Sequence, residues 1–338
     1  MATYKGIKGF KVTSIAGDPT NKIEGDVYYD TTANTLKYVE GASGTWATDT
    51  AVAFGRHSPG GTGTASAAII FGGEYGPPWA STGKTEEWNG SSWAEQSDMS
   101  HYRYSVCSIG RTTTDSICAA GYKSAVGFES GWTELYNGTA WSGLANVNTK
   151  RYSLAGGAGT SSAGLMAGGD KILPKVAENV PWYKTSWGTV NNLNTQEGGG
   201  VTTGASTSAA RQTGGSPSAT NGDQSEDYNG TSWSVSTSLN VGRGSAAGAA
   251  GTENATLYWG GCASPGDGGC DVAYYTEKWN GTTWTESGDL PNKKQTAGTS
   301  TASATTALSA TGWGPGYNST QHFQWTYADS WVKTVTTS

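Results

Sequence analysis

Aromatic residues recur along the chain with a long period and lie within short segments that alternate apolar and polar residues. A tryptophan returns about every 47 residues, at Trp46, Trp93, Trp141, Trp187, Trp233, Trp284 and Trp331. In four copies an Asn-Gly pair and a second aromatic precede it, as in Trp88-Asn89-Gly90-Ser91-Ser92-Trp93. Asn-Gly between such segments predicts a β-hairpin with a type I′ turn. That turn would pair residue 88 with 91 and 86 with 93, so that Trp88 and Trp93 would lie diagonally on one face.

The rest of each copy predicts three further strands. A basic residue follows most of these tryptophans by ten positions, as Arg56, Arg103, Arg151, Arg243 and Lys294. An apolar or small-residue run then ends at a glycine mark, as in Gly72-Gly73 or Gly260-Gly261. A period in the 40s is typical of β-propellers, whose four-stranded blades leave only short edges. Six such units fit between Arg56 and Trp331.

At these positions the chain resembles the kelch family. The kelch pattern has a glycine pair closing strand 2, an aromatic several residues before a tryptophan, and then a loop with an arginine. Gly72-Gly73, Trp88, Trp93 and Arg103 match it. The resemblance implies an all-β fold: a six-bladed kelch-like β-propeller of four-stranded blades over residues 51–338, with a small N-terminal β-hairpin region over residues 1–50.

Recurring charged residues are predicted to be structural. Four glutamates stand seven residues before the tryptophan, at Glu86, Glu134, Glu226 and Glu277. Because they belong to different blades at one shared depth, we expect them to support the fold rather than form the carboxylate pair of a glycosidase. The arginines are expected to bond backbone carbonyls of the neighbouring blade.

The first fifty residues carry a second resemblance. Residues 25–38 read as a hairpin of alternating strands around a polar turn, and they resemble hairpins of bacteriophage tail and fibre proteins. This resemblance implies a virion protein that folds in the bacterial host cytoplasm and acts in the virion, with the N-terminal region binding other virion proteins. Trp46 could lend a seventh edge strand against blade 1, or the region could dock on another virion protein. Residues 4–12 are the candidate anchor to the particle, and the alternative for them is a plain edge strand.

Composition excludes several classes of function. The net charge of −6 provides no basic stripe for nucleic acid, and no apolar run is long enough for membrane insertion. The three histidines occupy different repeat positions, so we expect no copper or other metal site and no cofactor. No nucleophile elbow, zinc-protease or phosphate-loop motif occurs, and we predict that the protein is not an enzyme.

The four cysteines lack zinc-type spacing. Cys107 and Cys118 are expected to be buried free thiols, although they could face each other across a turn. Cys262 and Cys270 bracket a glycine-rich loop and could close it as a disulfide in an oxidising medium.

Residues that break the repeat are the candidates for function. The variable segments are nearly all connections between strands 2 and 3, and these emerge with the 4–1 connections on one face. Aromatic loops on a rigid framework are typical of recognition surfaces. The candidate ligand- or partner-binding residues are Tyr75, Trp79, His101, Tyr102, Tyr122, Trp132, Trp313 and Tyr317. The alternative for each ring is that it packs only its own loop.

These features predict a bacteriophage virion structural protein. The favoured role is a tail fibre or receptor-binding component that displays the loop-rich face to host surface polysaccharide. The first alternative is a purely structural collar, nozzle, baseplate or capsid-decoration protein that contacts other virion proteins. The second is a depolymerase, which would need unpaired carboxylates in a cleft.

Overall fold

The protein consists of β-strands that form many small sheets. The computed structural model describes residues 12–19, 26–40, 43–125, 127–154, 156–170, 179–182, 185–195, 198–215, 222–245, 248–263, 271–299, 302–314, 317–328 and 331–335. Two compact units are present, one comprising Met1–Gly44 with Tyr327–Ser338 and the other Thr45–Thr326. Every regular element in the described residues is a strand, and no helix there is long and apolar enough to cross a membrane. The prediction of an all-β chain is confirmed.

The smaller unit contains one four-stranded sheet. Its strands, in sheet order, are β1 (Thr13–Ile15), β2 (Val27–Asp30), β3 (Thr35–Glu40) and β36 (Trp331–Thr334). Strands β2 and β3 pair antiparallel, which confirms the hairpin predicted within residues 25–38. Its turn is held by Asp30, whose Oδ1 accepts the N–H groups of Thr32 and Ala33 and whose Oδ2 lies 2.8 Å from Nζ of Lys37. Residues 4–11 of the predicted anchor lie outside the described residues.

The larger unit contains six sequence repeats, named here repeats 1 to 6. Repeat 1 has β5 (Gly60–Thr64), β6 (Ala67–Phe71), β7 (Glu74–Tyr75), β8 (Ala80–Ser81), β9 (Thr85–Trp88) and β10 (Trp93–Glu95). Repeat 2 has β11 (Cys107–Thr112), β12 (Asp115–Ala119), β13 (Tyr122–Lys123), β14 (Phe128–Glu129), β15 (Thr133–Tyr136) and β16 (Trp141–Leu144). Repeat 3 has β17 (Ala158–Thr160), β18 (Ala163–Ala167) and β19 (Asn179–Trp182).

The second half of the larger unit follows the same plan. Repeat 4 has β20 (Val201–Ser206), β21 (Ala209–Thr213), β22 (Ser225–Tyr228) and β23 (Trp233–Val235). Repeat 5 has β24 (Arg243–Gly244), β25 (Gly248–Thr252), β26 (Ala255–Trp259), β27 (Cys262–Ala263), β28 (Asp271–Val272), β29 (Thr276–Trp279) and β30 (Trp284–Ser287). Repeat 6 has β31 (Gly298–Thr299), β32 (Thr306–Ala310), β33 (Trp313–Gly314), β34 (Tyr317–Asn318) and β35 (His322–Ala328), joined by β4 (Ser43–Asp49).

The main sheet of each repeat is a meander. The strand orders are β5-β6-β9-β10, β11-β12-β15-β16, β17-β18-β19, β20-β21-β22-β23, β25-β26-β29-β30 and β31-β32-β35-β4. The small sheets β7-β8, β13-β14, β24-β27-β28 and β33-β34 include the connections between the second and third strands. The first strands contact one another in series: β5 with β11, β11 with β17, β17 with β20, β20 with β25, β25 with β31, and β31 with β5.

Small residues allow these first strands to approach closely. A Cβ on Gly61 would lie 2.5 Å from the backbone nitrogen of Thr299, and one on Gly248 would lie 2.0 Å from Cγ2 of the same threonine. Such distances are below van der Waals contact, so any larger residue would push the strands apart. The close packing of the first strands therefore requires glycine at these positions.

The predicted hairpins are present, but their register differs from the prediction. Trp88 pairs directly with Trp93, and their rings lie 5.5 Å apart. Oδ1 of Asn89 accepts the N–H groups of Ser91 and Ser92, each at 3.0 Å, and only Gly90 has a positive φ, of 95°. The prediction of a two-residue type I′ turn is therefore wrong, because the asparagine side chain closes a four-residue turn instead.

The recurring charges form ion pairs inside repeats 1, 2 and 5, and Glu226 of repeat 4 accepts hydrogen bonds from Asn194 and Thr195 of its own repeat. Nη1 of Arg56 lies 2.6 Å from Oε2 of Glu86, and Nη1 of Arg243 lies 2.6 Å from Oε1 of Glu277. Arg103 pairs with its own glutamate in the same way and also donates to carbonyls of its own repeat. The structural role of these glutamates is confirmed. The expectation that the arginines bond the neighbouring blade is wrong.

The recurring tryptophans connect one repeat to the preceding one. Nε1 of Trp141 donates to Oγ1 of Thr85 at 3.0 Å, and Nε1 of Trp187 donates to Oγ1 of Thr133 at 3.0 Å. Nε1 of Trp46 makes the same bond to Thr276 of repeat 5, also at 3.0 Å. Trp46 therefore occupies the fourth-strand position of repeat 6.

Two predictions about the chain ends are corrected by this arrangement. Strand β4, which carries Trp46, joins the sheet of repeat 6 and not that of repeat 1. Trp331, which was expected to be the recurring tryptophan of the sixth unit, pairs with Glu40 in the sheet of the smaller unit. The spacing of Trp46 and Trp331 fits the repeat equally well, and the strand pairing distinguishes them, because β4 lies in the sheet of repeat 6 and β36 in the sheet of the smaller unit.

The cysteines fall into two groups. Cys107 and Cys118 are free and buried, as expected, because Cys118 pairs with Ser108 and so faces the opposite side of the sheet. Cys262 is disulfide-bonded. Cys270, its predicted partner, lies outside the described residues.

Candidate functional site: an aromatic arc beside a hydroxyl-lined pocket

A ring of backbone hydrogen bonds joins the six repeats. Each repeat contributes the residue two positions after its recurring basic residue, or after Glu197 in repeat 4. These residues all have a positive φ, between 48° and 72°, and they are Ser58, Ser105, Ser153, Gly199, Ser245 and Thr296. The bonds run from Ser58 N to Thr296 O (2.7 Å), Thr296 N to Ser245 O (3.2 Å), Ser245 N to Gly199 O (2.8 Å), Gly199 N to Ser153 O (2.9 Å), Leu154 N to Ser105 O (3.5 Å) and Ser105 N to Ser58 O (2.8 Å). The last bond of the series ends at Ser58, the residue from which the first bond starts.

These residues surround a small pocket of about 50 Å³, named here the hydroxyl pocket. Its lining consists of Ser58, Pro59, Ser105, Ser153, Leu154, Gly199, Ser245, Thr296 and Ala297. Oγ of Ser58 lies 3.0 Å from Nδ1 of His57, whereas Oγ1 of Thr296 is buried and has no hydrogen-bond partner in the described residues. The pocket is therefore polar, uncharged and incompletely satisfied.

Aromatic residues precede the pocket serines in three consecutive repeats. These are His57, Tyr104 and Tyr152, which bridge antiparallel to Glu74, Tyr122 and Asp170 respectively. The centroid distances are 6.3 Å between His57 and Tyr104, 5.6 Å between Tyr104 and Tyr122, and 5.1 Å between Tyr122 and Tyr152. The rings therefore form a continuous row along the serine positions of repeats 1 to 3.

Two tryptophans extend this row at repeats 6 and 1. Trp79 stacks on Trp313 with centroids 5.4 Å apart and an interplanar angle of 27°. His57 lies 5.6 Å from Trp79 and 4.9 Å from Trp313. Trp79 is 43% exposed. The six rings Trp79, Trp313, His57, Tyr104, Tyr122 and Tyr152 are named here the aromatic arc.

Hydrogen bonds fix the loops that carry the two tryptophans. Nδ2 of Asn318, in repeat 6, donates to the carbonyl of Gly76, in repeat 1, at 2.8 Å. Ser124 of repeat 2 donates to Oε1 of Glu74, and its Oγ lies 2.8 Å from Oγ of Ser81. The connections of three repeats are therefore tied together beside the arc.

The arc is uncharged at neutral pH. Burial lowers the pKa of His57 to about 4, so the imidazole is neutral although its Nε2 lies 3.6 Å from Oε2 of Glu74. Burial raises the pKa of Tyr104, and the charge of Glu74 adds to the shift. Burial likewise raises the pKa of Tyr152, with a further contribution from Asp170. Both phenols remain protonated and can donate hydrogen bonds.

The other candidate residues lie outside the arc. His101 and Trp132 form a separate pair with centroids 4.0 Å apart, and Nζ of Lys123 lies 5.6 Å from the Trp132 centroid. Tyr75 packs 5.1 Å from Phe54. The remaining two candidates are Tyr102, which is 49% exposed, and Tyr317, whose side chain lies outside the described residues.

Of the predicted candidates, the structure brings together Trp79, Trp313 and Tyr122. Sequence reasoning missed His57, Tyr104 and Tyr152. The sequence does distinguish them, because each follows a recurring arginine directly, in Arg-His-Ser or Arg-Tyr-Ser. Repeat 5 has Gly244 at the same position, so an aromatic ring there is not required by the repeat.

The aromatic arc and the hydroxyl pocket together are chemically suited to binding a ligand that has both apolar and polar groups. Aromatic faces with polar edges contact sugar rings or apolar side chains, and the described residues contain no group of three or more His, Cys, Asp or Glu side chains that could hold a metal ion. The chain matches no protein-family model, and no curated protein matches it significantly.

Proposed function

We propose that the larger unit is a closed six-bladed kelch-like β-propeller in which each repeat is one blade. Three observations support this proposal. The main sheets are meanders of up to four strands, their first strands contact in series, and the hydrogen-bond ring passes once through each repeat. Strand β4, from the N-terminal side, completes the sheet of repeat 6, which is how a propeller joins its two chain ends.

We further propose that the protein is a bacteriophage virion component that binds host surface glycan. The virion assignment is supported by the resemblance of residues 25–38 to hairpins of phage tail and fibre proteins. The glycan assignment depends on one observation, the aromatic arc with its stacked pair Trp79 and Trp313. Stacked aromatic faces beside hydroxyl groups suit a pyranose, which has an apolar face and polar edges.

The test removes the exposed end of the arc. The double variant Trp79→Ala, Trp313→Ala should bind host surface polysaccharide at least about tenfold more weakly than the wild type, because each aromatic contact contributes about 0.5–1.5 kcal/mol and about 1.4 kcal/mol is a tenfold change. Binding is measured on a glycan array and by adsorption of the purified protein to host cells.

The control variant is Tyr29→Ala, which removes a tyrosine that is 37% exposed in the smaller unit and should leave binding unchanged. Circular dichroism establishes that both variants are folded. If the wild type binds no glycan, or the double variant adsorbs normally, the receptor-binding role is wrong. A particle map with the arc covered by other virion proteins would then favour the collar, nozzle, baseplate or decoration role.

A further inference from the structure

The size of the hydroxyl pocket limits what can enter it. By a comparable measure one water needs about 10–15 Å³ and a benzene-binding cavity has about 150 Å³, whereas the pocket has only about 50 Å³. A sugar ring is much larger than that. The pocket can therefore hold one small group, such as a hydroxymethyl group, but no ring.

The lining favours an uncharged hydroxyl group. None of the nine lining residues carries a formal charge, so an ammonium or carboxylate group would be desolvated there without a counter-charge, which is costly. Four of the lining residues are serines, Ser58, Ser105, Ser153 and Ser245, and have hydroxyl side chains. A hydroxyl group can both donate to and accept from such a side chain.

The opposite ends of the first strands are bridged by one side chain. Arg111, at the far end of β11 from Ser105, donates through Nη1 to the carbonyl of Gly204 at 3.5 Å and through Nη2 to the carbonyl of Ala302. These carbonyls belong to repeats 4 and 6, so the guanidinium group links three repeats across the strand ends. A group entering from the arc side therefore meets a closed end and not an open channel.

The carboxylates beside the arc disfavour the binding of anionic ligands. Glu74 and Asp170 bridge to the arc residues His57 and Tyr152, and Glu129 pairs with Tyr122. A uronic acid, sialic acid or phosphate on the arc would lie near like charges, which disfavours its binding.

From these observations, and resting on the proposed function, we propose that the site binds an uncharged hexopyranose chain. One sugar stacks on the aromatic arc, and its exocyclic hydroxymethyl group enters the hydroxyl pocket, where it bonds to the serine hydroxyl groups of the lining. Specificity for a hexose over a pentose then comes from the pocket, and exclusion of acidic glycans comes from the carboxylates of the rim.

The experiment compares sugars that differ at that one group. Cello-, malto-, manno- and galacto-oligosaccharides are titrated into the full-length protein by calorimetry, together with xylo-oligosaccharides, which are cello-oligosaccharides without the hydroxymethyl group, 6-deoxy derivatives of each hexose oligomer, and oligogalacturonate. The hexose oligomer that binds best should bind about tenfold more tightly than its pentose or 6-deoxy counterpart, since one hydrogen bond and the filled pocket are lost. Oligogalacturonate should not bind.

Variants connect the preference to the pocket. Ser153→Ala and, as a second variant, Ser245→Ala should each weaken hexose binding about three- to tenfold, while xylo-oligosaccharide affinity stays unchanged. The matched control is Ser92→Ala, at an exposed serine in the turn between β9 and β10, which should bind as the wild type does.

The outcomes separate this inference from the proposed function. Equal affinity for hexose and pentose chains, unchanged binding by both Ser153→Ala and Ser245→Ala, or preference for oligogalacturonate overturns the pocket assignment and leaves glycan binding standing. Absence of binding to every oligosaccharide and to host polysaccharide overturns both.

Discussion

A lysine occupies a buried position that holds an arginine in four other repeats. Lys294 of repeat 6 is fully buried, and the residue at the position of the recurring glutamate is Phe323, whose ring centroid lies 4.4 Å from Nζ. Nζ donates to the carbonyl of Gln321 at 2.7 Å. Among the described residues it forms no ion pair, and burial lowers its pKa to about 7.

This lysine should make stability depend on pH in one defined window. In the unfolded chain a lysine has a pKa of about 10.4, so between pH about 7 and 10.4 the unfolded state binds more protons than the folded state. Stability therefore rises with pH across that window. Lys294→Met should raise the free energy of unfolding at pH 7 and remove this rise, as measured by urea denaturation from pH 6.5 to 10.

The neighbouring lysine provides the control for that experiment. Nζ of Lys293 lies 2.7 Å from Oδ1 of Asp271 and its side chain is 42% exposed, so Lys293→Met should keep the pH dependence of the wild type. If Lys294→Met shows the same rise with pH as the wild type, then the buried amine is not its source.

At the scale of single elements, the Asn-Gly turns depend on one backbone conformation. Gly138 of repeat 2 has φ of 93°, and a Cβ there would lie 3.0 Å from Cγ2 of Thr114; Gly143, on β16 of the same hairpin, has nothing within 4 Å of its Cβ position. Gly138→Ala should lower the free energy of unfolding by about 1–2 kcal/mol. Gly143→Ala should be neutral or slightly stabilising.

The measurement for this pair is chemical denaturation of the two alanine variants side by side. Both changes add the same methyl group to the same hairpin, so a difference between them isolates the turn conformation. Equal effects would mean that Gly138 is not constrained by its φ.

The same turns show how far an element can be predicted from sequence. The hairpins follow from Asn-Gly between alternating segments, and so does the contact between Trp88 and Trp93. The register does not follow, because Asn89 can enter a two-residue turn through its backbone or close a four-residue turn through its side chain. Both turns use the same Asn-Gly pair, so the sequence pattern does not distinguish them.

The candidate site was predictable only in part, for a related reason. Trp79 and Trp313 stand out because they interrupt the repeat, but their stacking depends on the approach of repeat 6 to repeat 1. His57 and Tyr104 follow the recurring arginines and so resemble part of the framework. Their contribution is visible only when the hydrogen-bond ring places them beside the pocket.

At the scale of the whole larger unit, the main question is which segment of the chain supplies the fourth strand of repeat 6. Trp46 and Trp331 both stand at one repeat spacing from a neighbouring tryptophan, so spacing alone cannot tell which one belongs to repeat 6. The contacts of Trp46 distinguish them: its ring lies 5.1 Å from Trp259 and 5.4 Å from Trp325. A strand from the N-terminal side therefore packs against residues near the C-terminal side.

This arrangement makes Trp46 as important for stability as a tryptophan in the middle of the chain. Trp46→Ala removes a side chain that is 8% exposed and its bond to Thr276, so it should cost about 3–5 kcal/mol. Trp141→Ala, which removes the equivalent bond to Thr85, should cost about the same, whereas Trp79→Ala, at an exposed ring, should cost less than about 1 kcal/mol. Guanidinium denaturation of the three variants gives the comparison. A cost for Trp46→Ala close to that of Trp79→Ala would show that β4 does not complete repeat 6, and the proposed closure would then fail with it.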